Sequence, residues 1–503
     1  MAQRQYRISL LDKSFPMLSE QQGRTVIGSS KEEISTKNNK PTVQYCHNVV
    51  PTAEGLDSIG YTSVVGSIVS VPPATLPLND VRTIYGDERA RIHLVWDADG
   101  AVYALKPGTT DWLSIPATVP ATGGVDFSTE ELTVGTVNGI SYIFYRGVSA
   151  FIYEEATDTL VEAPLTGVSM PDVLGVVSSS GYLIAYTKNA LAWSSNIDPT
   201  DFTPSTITGA GGGNISDIRG PVLFALPNPT GFIIYSDANA VGVTYTGNAF
   251  YPFKLREIAE SKGGISLDFV AYENNSASQF IYSKAGLQVV TTTKAEAILP
   301  EVTDFLAGKR FEDFDETTGL LTTVNVASLK KKIKFVASRY LIISYGVTEF
   351  THAFIYDIAL GRIGKLKITH TDCFEYIGEQ AEVAKESIAF LLSHGEVKVL
   401  DFSVAGAEDG VVILGKLQYT RGRTITLLET EVENVPDGAN FSITSRASLD
   451  GKNTRDVIGI EAYADTNIRN YVFRNTAVNH ALLLQGNFNL VSVVMIYILA
   501  GRR

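Results

Sequence analysis

Residues 182–194 read Tyr182-Leu-Ile-Ala-Tyr186, then Thr187-Lys188-Asn189, then Ala190-Leu-Ala-Trp193-Ser194. Two apolar, aromatic-rich runs flank a polar turn at Lys188-Asn189, which is the pattern of a β-hairpin. The figure recurs on both sides. Downstream, Phe232 to Tyr235 and Val241 to Tyr245 flank Asp237 to Asn239, and Phe280 to Tyr282 precedes Gly286 to Val290. Upstream, Tyr142 to Tyr145 and Ala150 to Tyr153 flank Gly147, while Ile92 to Trp96 and Val102 to Leu105 flank Asp99-Gly100. These turns lie about 40–50 residues apart, the length of a four-stranded propeller blade. Two more pairs follow: Tyr340 to Ser344 with Ala353 to Asp357, and Ile388 to Leu392 with Val397 to Phe402 across His394-Gly395. The reading is therefore all-β, with about seven blade-like units in a propeller-like body over residues 79–410. One helix is expected, at about Glu301 to Phe314, with Val302, Phe305 and Leu306 on one side and Gly308 weakening it.

The flanks read differently. Residues 411–503 carry short strand-like runs, among them Thr424 to Val432, Phe441 to Ser445 and Leu490 to Leu499, with an Asp450-Gly451 turn. They suggest a C-terminal antiparallel β-sandwich. Residues 1–78 are polar and turn-rich (Asn38-Asn39-Lys40-Pro41, Pro72-Pro73), and read as an extended N-terminal arm that needs neighbours for order.

Composition narrows the chemistry. With 45% hydrophobic and 19% charged residues over 503 positions, the chain folds and is not disordered. Its net charge of −13 argues against gripping nucleic acid, because an anion gains nothing by releasing counterions from DNA. Cys46 and Cys373 form no C-x-x-C pair and fit folding in a reducing compartment. Asp12 and Lys13 interrupt any secretory apolar stretch, and the run Leu490 to Ala500 is too short to span a bilayer.

Motifs for catalysis are near misses. The six histidines lack ligand spacing, and no H-E-x-x-H helix or G-x-S-x-G elbow occurs. Gly410 to Lys416 mimics a phosphate loop, but Leu417 stands where a Ser or Thr must hold magnesium, so it reads as a strand. Asp97-Ala98-Asp99-Gly100 starts like a calcium loop, yet Tyr103 and Leu105 replace oxygen ligands. Lys330, Lys331, Lys332 and Lys334 form the one basic run, which reads as a guarded strand edge or a DNA contact. No catalytic, cofactor-binding or metal-binding residue is assigned. Two other features stand out. Gly209, Gly211, Gly212, Gly213 and Asn214 form a glycine-rich loop with little side-chain packing, a candidate gate. Glu429, Glu431 and Glu433 alternate along a strand and so share one face, a candidate channel-facing acidic stripe.

With the hairpins in place, several segments resemble the tail nozzle or hub of short-tailed bacteriophages, the packaged-DNA stabilisation family. They include His47-Asn48-Val-Val-Pro51 to Gly55-Leu56 with Gly60-Tyr61, and Ala192-Trp193-Ser194-Ser195 with Asp198-Pro199-Thr-Asp201-Phe202-Thr-Pro204. Glu260-Ser-Lys262-Gly263-Gly264-Ile265, Ser448-Leu-Asp450-Gly451 and Gly486-Asn-Phe488-Asn-Leu490 extend the resemblance over most of residues 45–500. It implies a virion protein assembled in the host cytoplasm as a homo-oligomeric ring, usually of six. Such a ring hangs below the portal–adaptor, carries fibre or needle proteins, and passes double-stranded DNA without specific binding. It would retain the packaged genome and open for ejection, with no enzymatic activity and no cofactor. The competing readings are a propeller polysaccharide depolymerase or glycosidase, for which three Trp supply few stacking platforms, and a non-enzymatic receptor-binding tail protein.

Overall fold

A computed structural model describes residues 3–9, 43–52, 55–66, 68, 78, 80–97, 101–115, 132–248, 251–273, 276–309, 311–315, 320–378, 385–401, 410–418, 423–433, 435–436, 439–448, 454–464 and 468–502. The Asp99-Gly100 and Asp450-Gly451 turns lie outside these residues. Among the described residues, seven antiparallel blade sheets follow one another between residues 82 and 401, with a two-stranded sheet between the fifth and the sixth. Blade 1 runs Arg82–Tyr85, Arg91–Trp96, Val102–Leu105, Leu113–Ile115, and blade 2 runs Leu132–Val137, Ile140–Tyr145, Ser149–Glu154, Thr159–Glu162. Blade 3 is Gly175–Ser179, Tyr182–Tyr186, Ala190–Trp193, Gly211–Asn214, and blade 4 is Val222–Asn228, Gly231–Ser236, Ala240–Tyr245, Phe253–Glu257. Blade 5 uses Val270–Ala271, Gln279–Ser283, Gly286–Val290 and Ala295–Ala297. Blade 6 uses Lys330–Val336, Tyr340–Gly346, Phe350–Asp357 and Arg362–His370. Blade 7 takes Asp372–Gly378, Lys385–Leu391 and Val397–Asp401, and its fourth strand is Gly60–Val65.

The hairpins legible in the sequence are the second and third strands of these blades. Their second strands are apolar on both faces: every residue of Tyr182–Tyr186 and of Gly231–Ser236 is buried. A strand wedged between two neighbouring blades has no solvent face, so it shows a continuous apolar run in place of alternation. Seven separate apolar clusters result, one at each junction, and the last joins blade 7 (Phe374, Leu391) to blade 1 (Val95, Leu105). The ring is closed. It is a seven-bladed β-propeller with the first strands of successive blades against one another near the axis.

The expected helix is shorter than its sequence pattern. Pro300–Leu306 is helical and buries Val302, Phe305 and Leu306 between blades 5 and 6. Gly308, at φ +80°, takes the left-handed conformation just past the helix and ends it. Phe311–Asp315 is instead a strand paired with Leu320–Val324.

Two five-stranded sheets form the C-terminal sandwich. One is ordered Gln3–Ser9, Ser492–Arg502, Arg423–Glu433, Ile468–Ala477, Ile460–Ala464; the other Val43–His47, Gly410–Gln418, Asn479–Gly486, Phe441–Ser448, Thr454–Ile458. Leucine, valine and aromatic side chains such as Leu427, Val432, Leu484, Phe473 and Phe488 fill the space between them. The segment 1–78, read as an extended arm, thus supplies a strand to each sandwich sheet and the closing strand of blade 7. It cannot satisfy its backbone alone, and three sheets offer free edges that complete it. Asn48, at φ 49°, turns the chain from the sandwich into Val49–Pro51, which continues the sheet of blade 6. Its side-chain carbonyl accepts from Lys367 N–H at 2.8 Å, so the hinge between the two bodies is itself hydrogen-bonded.

Candidate functional site: the propeller axis and the acidic strand

The basic run sits in blade 6's first strand, and strand alternation splits it. Ile333 and Phe335 enter the core between blades 5 and 6, while Lys332 and Lys334 project from the other face. Lys332 is only 5% exposed and pairs with Asp80 and, at 3.1 Å, with Asp372. Lys334 reaches the second oxygen of Asp372 at 3.1 Å, and Val81 N–H donates to that oxygen at 2.9 Å. Arg82 lies 3.8 Å from Asp80. Blades 6, 7 and 1 are therefore tied at the axis by alternating charges. Burial alone would raise the Asp80 pKa, but Lys332, Lys334 and Arg82 outweigh it and hold the carboxyl well below its usual range. Burial would likewise lower Lys332, and Asp372 with Asp80 reverse that, keeping the ammonium charged. Asp268 nearby is raised by burial. A compensated network like this holds structure, and offers neither a free base nor a nucleophile. Lys332 and Lys334 accordingly act as blade-to-blade ties, neither strand-edge guards nor DNA contacts. Lys331 lies 5.9 Å above the Phe305 ring, and Lys330 is exposed.

The buried histidines belong to the same frame. His370 shares a 2.7 Å hydrogen bond between Nε2 and Ser344 Oγ, with Nδ1 2.8 Å from the Ile368 carbonyl, and burial lowers its pKa to about 4. His93, against Phe374, is lowered by burial to about 3. Both fold as neutral imidazoles while the unfolded chain protonates them near pH 6.5. Their contribution is complete above that pH and is lost as pH falls toward the folded values. Denaturant titrations should show stability declining from pH 6.5 to 4, by roughly 3 kcal/mol for His370 alone. His370→Gln should flatten the slope, and an unchanged slope would assign the acid sensitivity elsewhere. Cys46 and Cys373 are buried, form no disulfide, and are pushed up to about 12 by burial, which leaves them unreactive.

The glycine-rich candidate gate is not a free loop. Gly211–Asn214 pairs with Ala190–Trp193 as the outermost strand of blade 3, far from the axial first strands. Gly211 is there because Trp193 packs against it: a Cβ at that position would stand 3.0 Å from the indole ring. Trp193 Nε1 also donates to the Gly209 carbonyl at 2.9 Å. A Cβ on Gly212 would meet the Leu191 carbonyl oxygen at 2.8 Å, while one on Gly213 meets nothing within 4 Å. Gly212→Ala should therefore cost about 1–3 kcal/mol by overpacking, and Gly213→Ala should be neutral or mildly stabilising. Equal effects in thermal melts would contradict the packed strand.

Glu429, Glu431 and Glu433 do share one face of Arg423–Glu433, turned away from the sandwich core and half-buried. The inner row is Ile425, Leu427, Thr430 and Val432. Between Leu427 and Glu429 the register with Ser492–Arg502 slips, and Leu428 is the extra, bulged residue that shifts the alternation by one. Without it the glutamates downstream would point into the core. Asn470 Nδ2 donates to Glu429 at 3.4 Å and Ser492 Oγ to Glu433 at 2.6 Å.

Gly410–Gln418, the near miss to a phosphate loop, is a sandwich strand. Asp97 accepts from Ala101 N–H at 2.8 Å as a hairpin cap. Among the described residues no group of three or more His, Cys, Asp or Glu could hold a metal, and no helix is long and apolar enough to cross a membrane. The axial cluster was not legible beforehand, because Asp80, Lys332 and Asp372 lie far apart in the chain. Its only signal was a lysine at alternate positions of a run that otherwise reads as core.

No family model matches the chain, and no curated protein matches it. Among solved structures, the WD40 propeller domain of Doa1 is 12% identical, aligned over 68% of this chain and 97% of that one, with a TM-score of 0.37. YCF48 from Cyanidioschyzon merolae shows 12% identity over 68% of this chain and 98% of its own, with a TM-score of 0.37. The extracellular domain of a hybrid two-component system from B. thetaiotaomicron covers 93% of this chain and 64% of its own, at 11% identity and a TM-score of 0.41. The seven-bladed ring is established by the order of its own sheets, and these likenesses add nothing to it.

Proposed function

We propose that this chain is a non-enzymatic structural protein of a short-tailed phage virion, a nozzle subunit. Copies would form a ring below the portal–adaptor that prolongs the DNA channel, retains the genome and opens for ejection. The observation that carries the reading is where the family-like segments fall. Asp198 and Asp201 cap their own loop, accepting from Thr200 N–H and Thr203 N–H at 2.9 Å each, and Ser195 N–H closes it onto the Asp201 carbonyl. Gly263, at φ +74°, lies where a Cβ would strike the Ser236 carbonyl at 2.3 Å, so this connection between blades 4 and 5 needs glycine. Ser58 Oγ accepts from Phe488 N–H at 2.9 Å, joining the His47–Tyr61 and Gly486–Leu490 segments across the junction of propeller and sandwich. Each of these described residues builds a turn, a blade junction or the seam between the two bodies, as a subunit of a rigid conduit requires. A ring with a net anionic subunit also lets DNA slide where a cationic lumen would hold it. The test is light scattering on the purified chain, alone and mixed with the portal–adaptor complex of its own virion. Joining that complex as a multi-copy ring is the expected result; a monomer that never joins it would sink the proposal.

A further inference from the structure

Two distant surfaces of this chain carry opposite charge at the same spacing. On the sandwich, Glu429, Glu431 and Glu433 form a straight acidic row, and neither Glu429 nor Glu431 has a cationic partner among the described residues. Beside that row, on neighbouring strands, Ile468 is 45% and Ile460 73% exposed. On the propeller, the outermost strand of blade 4 reads Phe253-Lys254-Leu255-Arg256-Glu257, with Lys254 and Arg256 exposed at alternate positions and Leu255 packed toward the core between blades 3 and 4. Neither cation has an ion-pair partner among the described residues, whereas neighbouring Glu257 is held by Arg219 at 2.9 Å. This strand starts beside Tyr251, 77% exposed, and pairs with Tyr245, which is 37% exposed.

We infer that the acidic sandwich face of one copy seats the outer strand of blade 4 of a second copy. Residues two apart on a strand are about 6.7 Å apart, so a glutamate row and a Lys254/Arg256 row fall into register with no adjustment of either backbone. Both patches pair charge with bare apolar side chains, the composition of an interface with a polar rim and not of a solvated wall. The two surfaces differ, so the contact is head-to-tail and propagates, and a closing rotation turns it into a ring. The inference deepens the ring reading and rests on it. It also gives the acidic stripe a neighbour to face in place of the channel.

Sedimentation velocity on the full chain tests it. Wild type should self-associate at low ionic strength and weaken as salt screens the contact. Glu429→Lys/Glu431→Lys/Glu433→Lys in one chain, or Lys254→Glu/Arg256→Glu in another, should each weaken association at least tenfold. An equimolar mixture of these two variants should recover it, because every contact in an alternating chain is then complementary. Recovery also excludes misfolding as the cause of the loss. A chain monomeric at all concentrations, reversals without effect, or a mixture that fails to recover would each overturn the contact. If wild type and both variants still join the portal–adaptor complex as rings, the contact is refuted while the ring reading stands; failure of wild type to join refutes the ring reading itself.

Discussion

Asp372→Ala should lower stability by about 3–5 kcal/mol, seen as a shift of the denaturant midpoint with the m-value preserved. Asp372 is 1% exposed and is the one carboxylate that meets Lys332, Lys334 and the Val81 amide together. Its removal leaves a buried ammonium with half its compensation and a buried N–H without an acceptor, and breaking a buried pair in this way costs several kcal/mol. The loss falls at the junction where blades 6 and 7 meet blade 1, so closure of the whole ring weakens with it. Lys330→Ala, two positions before Lys332 on the same strand but exposed, should stay within about 0.5 kcal/mol. If both substitutions proved equally mild, the axial ties would be incidental to stability.

Removal of residues 1–66 should abolish soluble folding altogether. An extended arm could be cut away and leave the body intact, whereas here the deletion takes five strands. Blade 7 loses Gly60–Val65, exposing the edge of Val397–Asp401 and uncoupling blade 7 from the chain's start. The sandwich loses Gln3–Ser9 and Val43–His47, baring Ser492–Arg502, which reads S-V-V-M-I-Y-I-L-A-G-R, as an unprotected apolar edge. A long bare edge of that composition templates aggregation. Expression of residues 67–503 is expected to give inclusion bodies, and adding residues 1–66 as a separate chain during refolding should restore soluble protein in part. A soluble, cooperatively melting truncation would restore the arm reading.

The two outcomes differ in how far the amino-acid order could foretell them. Seven blades were countable in advance because the second and third strands of each form a local hairpin. Thr187 Oγ1 accepting from Ala190 N–H at 3.1 Å and Ser236 Oγ from Asn239 N–H at 3.0 Å show the turn chemistry acting within four residues. The glutamate row was legible for the same reason, since strand alternation is a property of neighbours in the chain. A single bulged residue, Leu428, was not, because a bulge is decided by what the adjoining strands Ile468–Ala477 and Ser492–Arg502 can accommodate. The glycines at 211–213 read as looseness in the sequence, and only the structure sets Gly211 against the Trp193 indole and Gly212 against the Leu191 carbonyl, leaving Gly213 alone with open space. The polar start of the chain read as an arm because its strands are short and lack partners within reach. Their partners lie hundreds of residues away, at 397–401, 411–414 and 492–498. Local order thus determined the class of fold, the number of blades and that the three glutamates share one face, whereas the bulge at Leu428 turns that face away from the core. Ring closure, the axial ion ties and the joining of the chain's two ends were decided by tertiary structure alone. Their energies come from desolvated charge pairs and completed sheet edges that exist only once distant segments meet.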